Sequence, residues 1–128
     1  MLVAIAEDDP DITFLLEAVL SDQGYDVAPS NSGVDALALC LERQPDILLL
    51  DRSMPGEVDG MEVLRRVRAD PVIGTMPVVL LTAHAGQEQV EAGLAAGANA
   101  YLVKPFAMKD LLELVTELTR AGGEDAHG

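Results

Sequence analysis

The sequence predicts an α/β fold, namely a doubly wound parallel sheet of five strands with helices on both faces. Five short apolar segments recur along the 128 residues, each too short for a helix and bounded by turn residues. Such runs are typical of strands buried on both faces. Segments with helical spacing lie between them, and short connections favour right-handed crossovers within a single domain.

The first strand is predicted at Leu2–Ala6, a continuous apolar run. Asp9-Pro10 then supplies the residue types of a helix N-cap and a first helical position, and Gly24 is a stop signal. The helical stripe between them consists of Ile12, Leu15, Leu16, Val19 and Leu20.

The second strand is predicted at Asp26–Ala28 and the third at Ile47–Leu50. The helix between them ends before Gln44-Pro45, and its apolar stripe is Val34, Leu37, Ala38 and Leu41. The third helix is predicted from Gly60 to Arg68, with Val63, Leu64 and Val67 facing inward. Its solvated face is predicted to carry Arg65, Arg66 and Arg68.

The fourth strand, Val78–Leu81, leads into a helix that is predicted from Gln87 to Ala96 and is rich in Ala and Gly. The fifth strand is predicted at Ala100–Val103. The last helix carries the stripe Met108, Leu111, Leu112, Val115 and Leu118. Apolar periodicity stops after Arg120, so we predict one domain over residues 1–120 and a disordered tail over 121–128.

Eight basic and 22 acidic residues give a formal net charge of −14. Because this charge repels phosphate backbones and anionic lipid, we predict no direct nucleic-acid binding and no membrane association. The apolar runs are far shorter than the ~20 residues of a membrane helix, and no secretory signal follows Met1, so we expect a cytoplasmic location. The single cysteine, Cys40, is predicted to be core.

Polar side chains follow four of the predicted strands. Glu7 and Asp8 follow the first, Asp51 the third, Thr82 the fourth and Lys104 the fifth. Ligands of open α/β sheets bind outside the carboxyl ends of the strands. The sequence therefore predicts three acids, a hydroxyl and a lysine at one edge of the sheet.

Crowded carboxylates repel one another unless a cation relieves the repulsion. All-oxygen ligands with an incomplete protein shell suit Mg²⁺, and Lys104 adds a positive charge suited to a phosphoryl oxygen. A carboxylate in such a site can act as a nucleophile and become an aspartyl phosphate.

The chain resembles the receiver domains of two-component response regulators over about residues 2–120. The motifs that carry the resemblance are Ala6-Glu7-Asp8-Asp9-Pro10, Asp51-Arg52-Ser53-Met54-Pro55-Gly56 with Asp59-Gly60, Leu81-Thr82-Ala83 and Lys104-Pro105-Phe106. The resemblance implies the (βα)5 flavodoxin-like fold with strand order 2-1-3-4-5. It also implies that Asp51 is the phosphoacceptor, which receives phosphate from a histidine kinase or a histidine phosphotransfer protein.

The same resemblance implies the ligands of Mg²⁺. Asp8, Asp51 and the backbone carbonyl of Ser53 would bind the ion directly, and Glu7 would complete the acidic group through water. Asp9 matches no functional residue of the family and is expected only to cap a helix.

Thr82 would hydrogen-bond the phosphoryl group, Lys104 would pair with it, and Tyr101 matches an aromatic residue that turns inward on activation. Phosphorylation would then change the surface formed by the fourth helix, fifth strand and fifth helix, which binds a downstream protein. Such a protein phosphorylates and dephosphorylates itself and is not a turnover enzyme.

Two features depart from the family pattern or leave it open. Glu57 and Val58 stand between Gly56 and Asp59, where the common pattern has one residue, so we predict a one-residue bulge in the loop over the site. The resemblance implies that Ser53 and His84 occupy positions that flank the phosphoryl group and influence its hydrolysis rate, and their identities leave the lifetime of the phosphorylated state open.

Three alternatives remain at this point. The chain is expected to be a stand-alone regulator, and the alternative is a receiver excised from a larger transcription factor. A phosphohydrolase of the haloacid dehalogenase type would carry a second acid where Ser53 stands. A flavin-binding electron carrier would need aromatic residues against the ring, and the chain has four, Phe14, Tyr25, Tyr101 and Phe106; a colourless purified protein would exclude it.

Overall fold

A computed structural model describes residues 1–83 and 86–127, with side chains described as far as Arg120. Its elements are β1 Leu2–Ala6, α1 Pro10–Asp22, β2 Asp26–Ser30, α2 Gly33–Arg43, β3 Ile47–Asp51, α3 Gly60–Ala69, β4 Val78–Thr82, α4 Gln87–Ala95, β5 Ala100–Val103 and α5 Met108–His127. The strands are parallel and lie in the order β2-β1-β3-β4-β5. The predicted fold class and strand order are confirmed.

Two apolar cores lie on the two faces of the sheet, because successive strand residues point to opposite sides. Val3, Ile5 and Leu49 face the core that is closed by Leu16 and Leu20 of α1 and by Leu111 and Val115 of α5. Ala4, Leu48 and Leu50 face the core that is closed by α2 and α3. The central strands are therefore covered on both sides, as their continuous apolar runs predict.

Helix α1 begins as the sequence predicts. The Asp9 side chain accepts a hydrogen bond from the Asp11 amide (2.9 Å), and Pro10 is the first helical residue. Leu16 and Leu20 are buried, whereas Leu15 is 51% exposed. The predicted inward stripe is therefore wider than the face that the sheet covers.

Helix α2 turns a different face to the sheet than its large apolar residues suggest. Its buried residues are Gly33, Ala36 and Cys40, while Val34 and Leu41 are exposed. Of the predicted stripe, Leu37 packs against the core, but the prediction is wrong for Val34 and Leu41, because small residues let the helix approach the sheet closely. Cys40 is core, as predicted, and burial raises the pKa of its thiol to about 11.

Helix α3 buries Val63, Leu64 and Val67, as predicted. Two of its three arginines are on the solvated face, where Arg65 and Arg66 pair with Glu62 at 2.9 Å.

Arg68 is half-buried, and the prediction that it lies on the solvated face is wrong. Its guanidinium donates to the carbonyls of Gly97 (2.8 Å), Gly74 (3.1 Å) and Met76 (2.7 Å), and to the Asn99 side chain (2.9 Å). Arg68 therefore joins the end of α3 to the loops on either side of β4.

Replacing Arg68 with methionine is expected to lower the free energy of unfolding by about 2–4 kcal/mol, because several carbonyls lose their donor. Urea unfolding followed by circular dichroism measures the change. The matched control is Arg66→Met, which removes an exposed arginine of the same helix and is expected to cost less than about 0.5 kcal/mol. Equal losses in the two variants would contradict a structural role for Arg68.

Helix α5 extends to His127, past the domain boundary predicted at Arg120. A disordered tail over 121–128 stays a prediction, and residue 128 lies outside the described residues. Within the described part of the chain, every helix is too short or too polar to cross a lipid bilayer.

Candidate functional site

The functional residues predicted from the sequence lie at the carboxyl edge of the sheet. Glu7 and Asp8 follow β1, Asp51 ends β3, Thr82 ends β4 and Lys104 follows β5. These four strands are consecutive in the sheet, so the topology brings distant parts of the chain to one edge.

Three carboxylates meet at the centre of this edge. Glu7, Asp8 and Asp51 each offer an oxygen, and these oxygens lie within 4.8 Å of one another. Glu7 is 1% exposed and Asp51 is 4% exposed, whereas Asp8 faces solvent. Two of the three carboxylates are therefore buried, and the group is exposed to solvent at Asp8.

Burial raises the pKa of two of the acids, and the neighbouring carboxylate raises it further. Burial raises the pKa of Glu7, and the charge of Asp51 raises it further against the opposing effect of hydrogen bonds from Lys104 and the Asp9 amide. Desolvation also raises the pKa of Asp8, together with a hydrogen bond to Asp51 and the charge of that carboxylate. The site therefore carries more negative charge than its own residues neutralise.

Lys104 is the cation of the site. Its Nζ lies 2.8 Å from Glu7 Oε2 and 3.5 Å from Asp51 Oδ2. Burial acts to lower the pKa of this lysine, but the hydrogen bond to Glu7 and the charges of both carboxylates outweigh it and raise the pKa. Lys104 is thus held as an ammonium between two acids.

Backbone amides orient the same carboxylates. The Ser53 amide donates to Asp51 Oδ1 (3.0 Å), and the Asp9 amide donates to Glu7 Oε1 (3.2 Å). Each buried acid therefore has one oxygen bonded to the backbone and the other directed toward Lys104. This arrangement fixes the Asp51 carboxylate before any ligand arrives.

Glu57 and Val58 lie in the loop over the site, and the one-residue bulge there stays a prediction. Glu57 is exposed, while Val58 is buried and contributes to the core with Met54. A Cβ at Gly33 of α2 would collide with the Val58 carbonyl oxygen, so a glycine is needed where the loop meets that helix. Packing against the core and against α2 therefore holds Val58 in place.

Gly60 and Arg52 belong to the motifs quoted above, but neither was assigned a role from the sequence. A Cβ at Gly60 would collide with the backbone of Asp51 and Arg52, so this glycine lets the start of α3 pack against the end of β3. Arg52 directly follows Asp51, and its guanidinium donates a hydrogen bond to the Gln89 carbonyl of α4 (3.1 Å). A charged residue directly after a buried apolar run was the available signal for Arg52.

Thr82 and Tyr101 lie on the side of the site nearest α4 and α5. Thr82 is 4% exposed, and its carbonyl accepts a hydrogen bond from the Lys104 amide (2.7 Å). Tyr101 lies in β5 and is 40% exposed. His84, which the sequence analysis places beside the phosphoryl group, lies outside the described residues.

The donor set fits a magnesium ion. Carboxylate oxygens are the ligands that Mg²⁺ prefers, and this ion keeps several waters, which the open side at Asp8 allows. Burial raises the pKa of Glu7 and Asp8, and the charge of Asp51 raises both further; a divalent cation would relieve that repulsion.

Residues 3–116 match the response regulator receiver domain family. The chain is 38% identical over 126 residues to an uncharacterized 14.6 kDa protein of Leptolyngbya boryana, covering 98% of this chain and 95% of that protein. It is 36% identical over 118 residues to the phosphate regulon transcriptional regulatory protein PhoB of Rhizobium meliloti. That match covers 92% of this chain and 52% of PhoB, so the chain spans about half the length of this relative.

A solved structure shows the same fold with a metal in place. The receiver domain of sensor histidine kinase PA1611 from Pseudomonas aeruginosa PAO1, with a magnesium ion coordinated in its active-site cleft, is 31% identical and superposes with a TM-score of 0.84. The match covers 92% of this chain and 96% of the PA1611 receiver chain. The chain belongs to the response regulator receiver domain family.

Proposed function

We propose that this receiver domain is switched by phosphorylation of Asp51, with a histidine kinase or a histidine phosphotransfer protein as the donor. The observation that carries the proposal is the setting of the Asp51 carboxylate. It is bonded to the Ser53 amide on one oxygen and lies 3.5 Å from the Lys104 ammonium on the other. A carboxylate held in this way is prepared for in-line attack on phosphorus.

In the transfer, an Asp51 oxygen forms a bond to phosphorus as the bond from phosphorus to the donor's imidazole nitrogen breaks. That nitrogen takes a proton from water and leaves as neutral imidazole. Lys104 stabilises the negative charge of the phosphoryl oxygens in the transition state. Glu7 keeps Lys104 charged and in place before transfer, since the two are hydrogen-bonded at 2.8 Å.

We propose Asp8, Asp51 and the Ser53 carbonyl as direct ligands of Mg²⁺, with Glu7 acting through water. The support is the convergence of the three carboxylates within 4.8 Å. When bound, the ion supplies positive charge that lets an anionic phosphodonor approach an anionic pocket. Asp8 is the solvent-facing acid and lies on the side from which donor and ion enter.

The output of the switch is proposed to run through Thr82, Lys104 and Tyr101. Thr82 ends β4 next to β3, so its hydroxyl is on the strand beside the phosphoacceptor. Tyr101 starts partly exposed in the neighbouring strand β5. Movement of Thr82 toward the phosphoryl group and of Tyr101 inward would change the α4–β5–α5 surface that a downstream protein binds.

Phosphorylation is tested with a small phosphodonor, acetyl phosphate, in the presence of Mg²⁺. We expect mass spectrometry to find one hydroxylamine-sensitive phosphoryl group on the wild type and none on Asp51→Ala. Asp59→Asn is the matched control, because Asp59 lies in the same loop and caps α3, a role that asparagine also fills. Undiminished labelling of Asp51→Ala would refute the assignment.

The half-length match to PhoB supports a second organisation, in which the same switch controls a longer transcription factor. The chemistry at Asp51 is the same in both organisations. The complete reading frame distinguishes them, and the stand-alone organisation stays a prediction.

A further inference from the structure

Arg52 is fixed at the junction of three elements of the phosphorylation site. It directly follows Asp51, its amide donates to the Leu81 carbonyl of β4 (2.9 Å), and its carbonyl accepts from the Gly60 amide of α3 (3.1 Å). The backbone of Arg52 is therefore held by the strand and the helix that frame the phosphoacceptor. Arg52 also lines the same cleft as Asp8 and Ser53.

The Arg52 side chain connects this junction to α4. Its Nη1 donates to the Gln89 carbonyl at 3.1 Å, in the first turn of that helix. The residue before α4 is Gly86, which provides no side-chain cap, and the Gln89 side chain folds back against it. Arg52 thus binds the first turn of α4, which has no side-chain N-cap.

Packing adds little to hold α4. Its buried residue is Gly93, where a side chain would collide with Leu80 of β4, and Leu94 is 44% exposed. A helix that buries so little apolar surface depends strongly on its polar contacts. The hydrogen bond from Arg52 therefore matters more here than it would at a well-packed helix.

The two ends of α4 are held unequally. At the end near β5, Arg68 bonds the Gly97 carbonyl and three further acceptors. At the other end, within residues 1–83 and 86–127, the first turn is held by the hydrogen bond from Arg52 to the Gln89 carbonyl, and the positive charge of Arg52 faces the positive end of the helix dipole. The first turn is therefore the end that can detach, with Gly97 as the pivot.

We propose that Arg52 is the tether that couples Asp51 to α4, a proposal that rests on phosphorylation of Asp51 as the switch. In the unphosphorylated protein the tether holds the first turn of α4. A phosphoryl group on Asp51 carries a charge of roughly −1.5 to −2 at neutral pH, in place of the single negative charge of the carboxylate, in the cleft that Arg52 lines. Because a charged acceptor binds a guanidinium more strongly than a neutral carbonyl does, Arg52 leaves Gln89 and α4 pivots about Gly97.

The test uses the full chain without any phosphodonor. In Arg52→Met, we expect the amides of residues 87–93 to exchange with solvent about tenfold faster than in the wild type, the factor that corresponds to one lost hydrogen bond to a charged donor. Amides of β1 and β3 should keep their wild-type exchange rates. Hydrogen exchange followed by NMR measures both sets, and Arg66→Met is the control for loss of an arginine charge.

A second measurement adds acetyl phosphate and Mg²⁺ to the wild type. We expect its α4 resonances to move toward the positions that Arg52→Met shows without the phosphodonor. Unchanged α4 exchange in Arg52→Met, or equal acceleration in β1 and β3, would overturn the tether. The first measurement needs no phosphorylation, so failure of Asp51 to accept phosphate would appear separately, as absent labelling.

Discussion

Replacing Lys104 with alanine is expected to lower the free energy of unfolding by about 3 kcal/mol near neutral pH, the cost of leaving a buried charge without its partner. Glu7 is 1% exposed and bonds Lys104 at 2.8 Å, and Asp51 lies beside the same ammonium. Without the lysine, two buried carboxylates face each other with no cation between them. Urea unfolding in Mg²⁺-free buffer measures the loss.

The loss should depend on pH in a defined direction. Burial and the charge of Asp51 raise the pKa of Glu7, and the opposing hydrogen bond from Lys104 is gone in the variant. The native state then binds the Glu7 proton more tightly than the unfolded chain does. Stability is therefore retained below the unfolded pKa of this acid and lost as pH rises through the higher native pKa. We expect a smaller deficit at about pH 5 than at about pH 7.

Lys109 provides the matched control, since it is the other lysine of the chain and is exposed, 3.9 Å from Glu113. Lys109→Ala is expected to change stability by less than about 0.5 kcal/mol. A similar loss in both variants, or a loss for Lys104→Ala that is independent of pH, would contradict the role of Lys104 as the internal counter-ion. Phosphorylated Lys104→Ala should also lack the NMR shift changes of α4, β5 and α5 that the wild type shows.

Asp8→Asn is expected to weaken Mg²⁺ binding by at least about tenfold, because it removes a charged ligand where even supporting residues contribute ten- to a hundredfold. The same substitution should stabilise the Mg²⁺-free protein, since Asp8 repels Asp51. Calorimetric titration with Mg²⁺ and urea unfolding measure the two effects. Opposite signs for metal affinity and stability distinguish a ligand from a residue that merely supports the fold.

Mg²⁺ affinity of the wild type should fall as pH falls. Ligating carboxylates must be deprotonated, and the pKa values of Glu7 and Asp8 are raised, so protons compete with the ion at higher pH than for ordinary acids. Asp9→Asn is the control, because Asp9 caps α1 and asparagine caps equally well. If Asp9→Asn weakened Mg²⁺ binding as much as Asp8→Asn, the ligand assignment would be wrong.

Much of the fold follows from local signals. Continuous apolar runs predicted the strands, and caps such as Asp9 predicted where helices begin. Helix faces were less predictable, because the face that packs depends on how closely a helix approaches the sheet. In α2 the small residues Gly33 and Ala36 face inward while Val34 is exposed. The periodicity of apolar residues does not predict which of these faces packs against the sheet.

The two arginines illustrate the same limit. Arg66 and Arg68 lie two positions apart on one helix and look alike in sequence, yet Arg66 pairs with Glu62 in solvent and Arg68 binds carbonyls of two loops. Arg52 acquires a partner 37 residues away in α4. These partners are distant in sequence and come close only in the folded protein, so the local sequence pattern could not predict them.

The sequence by itself determined the order of strands and helices, and which acids, hydroxyl and lysine follow the strands. Both follow from connection lengths and from the periodicity of apolar residues, which are local features of the sequence. The tertiary structure alone decided that Lys104 bonds Glu7 more closely than Asp51, and that Arg52 and Arg68 hold the two ends of α4. Those pairings depend on ångström-scale distances between strands, and distances of that kind are set by the packing of the whole sheet.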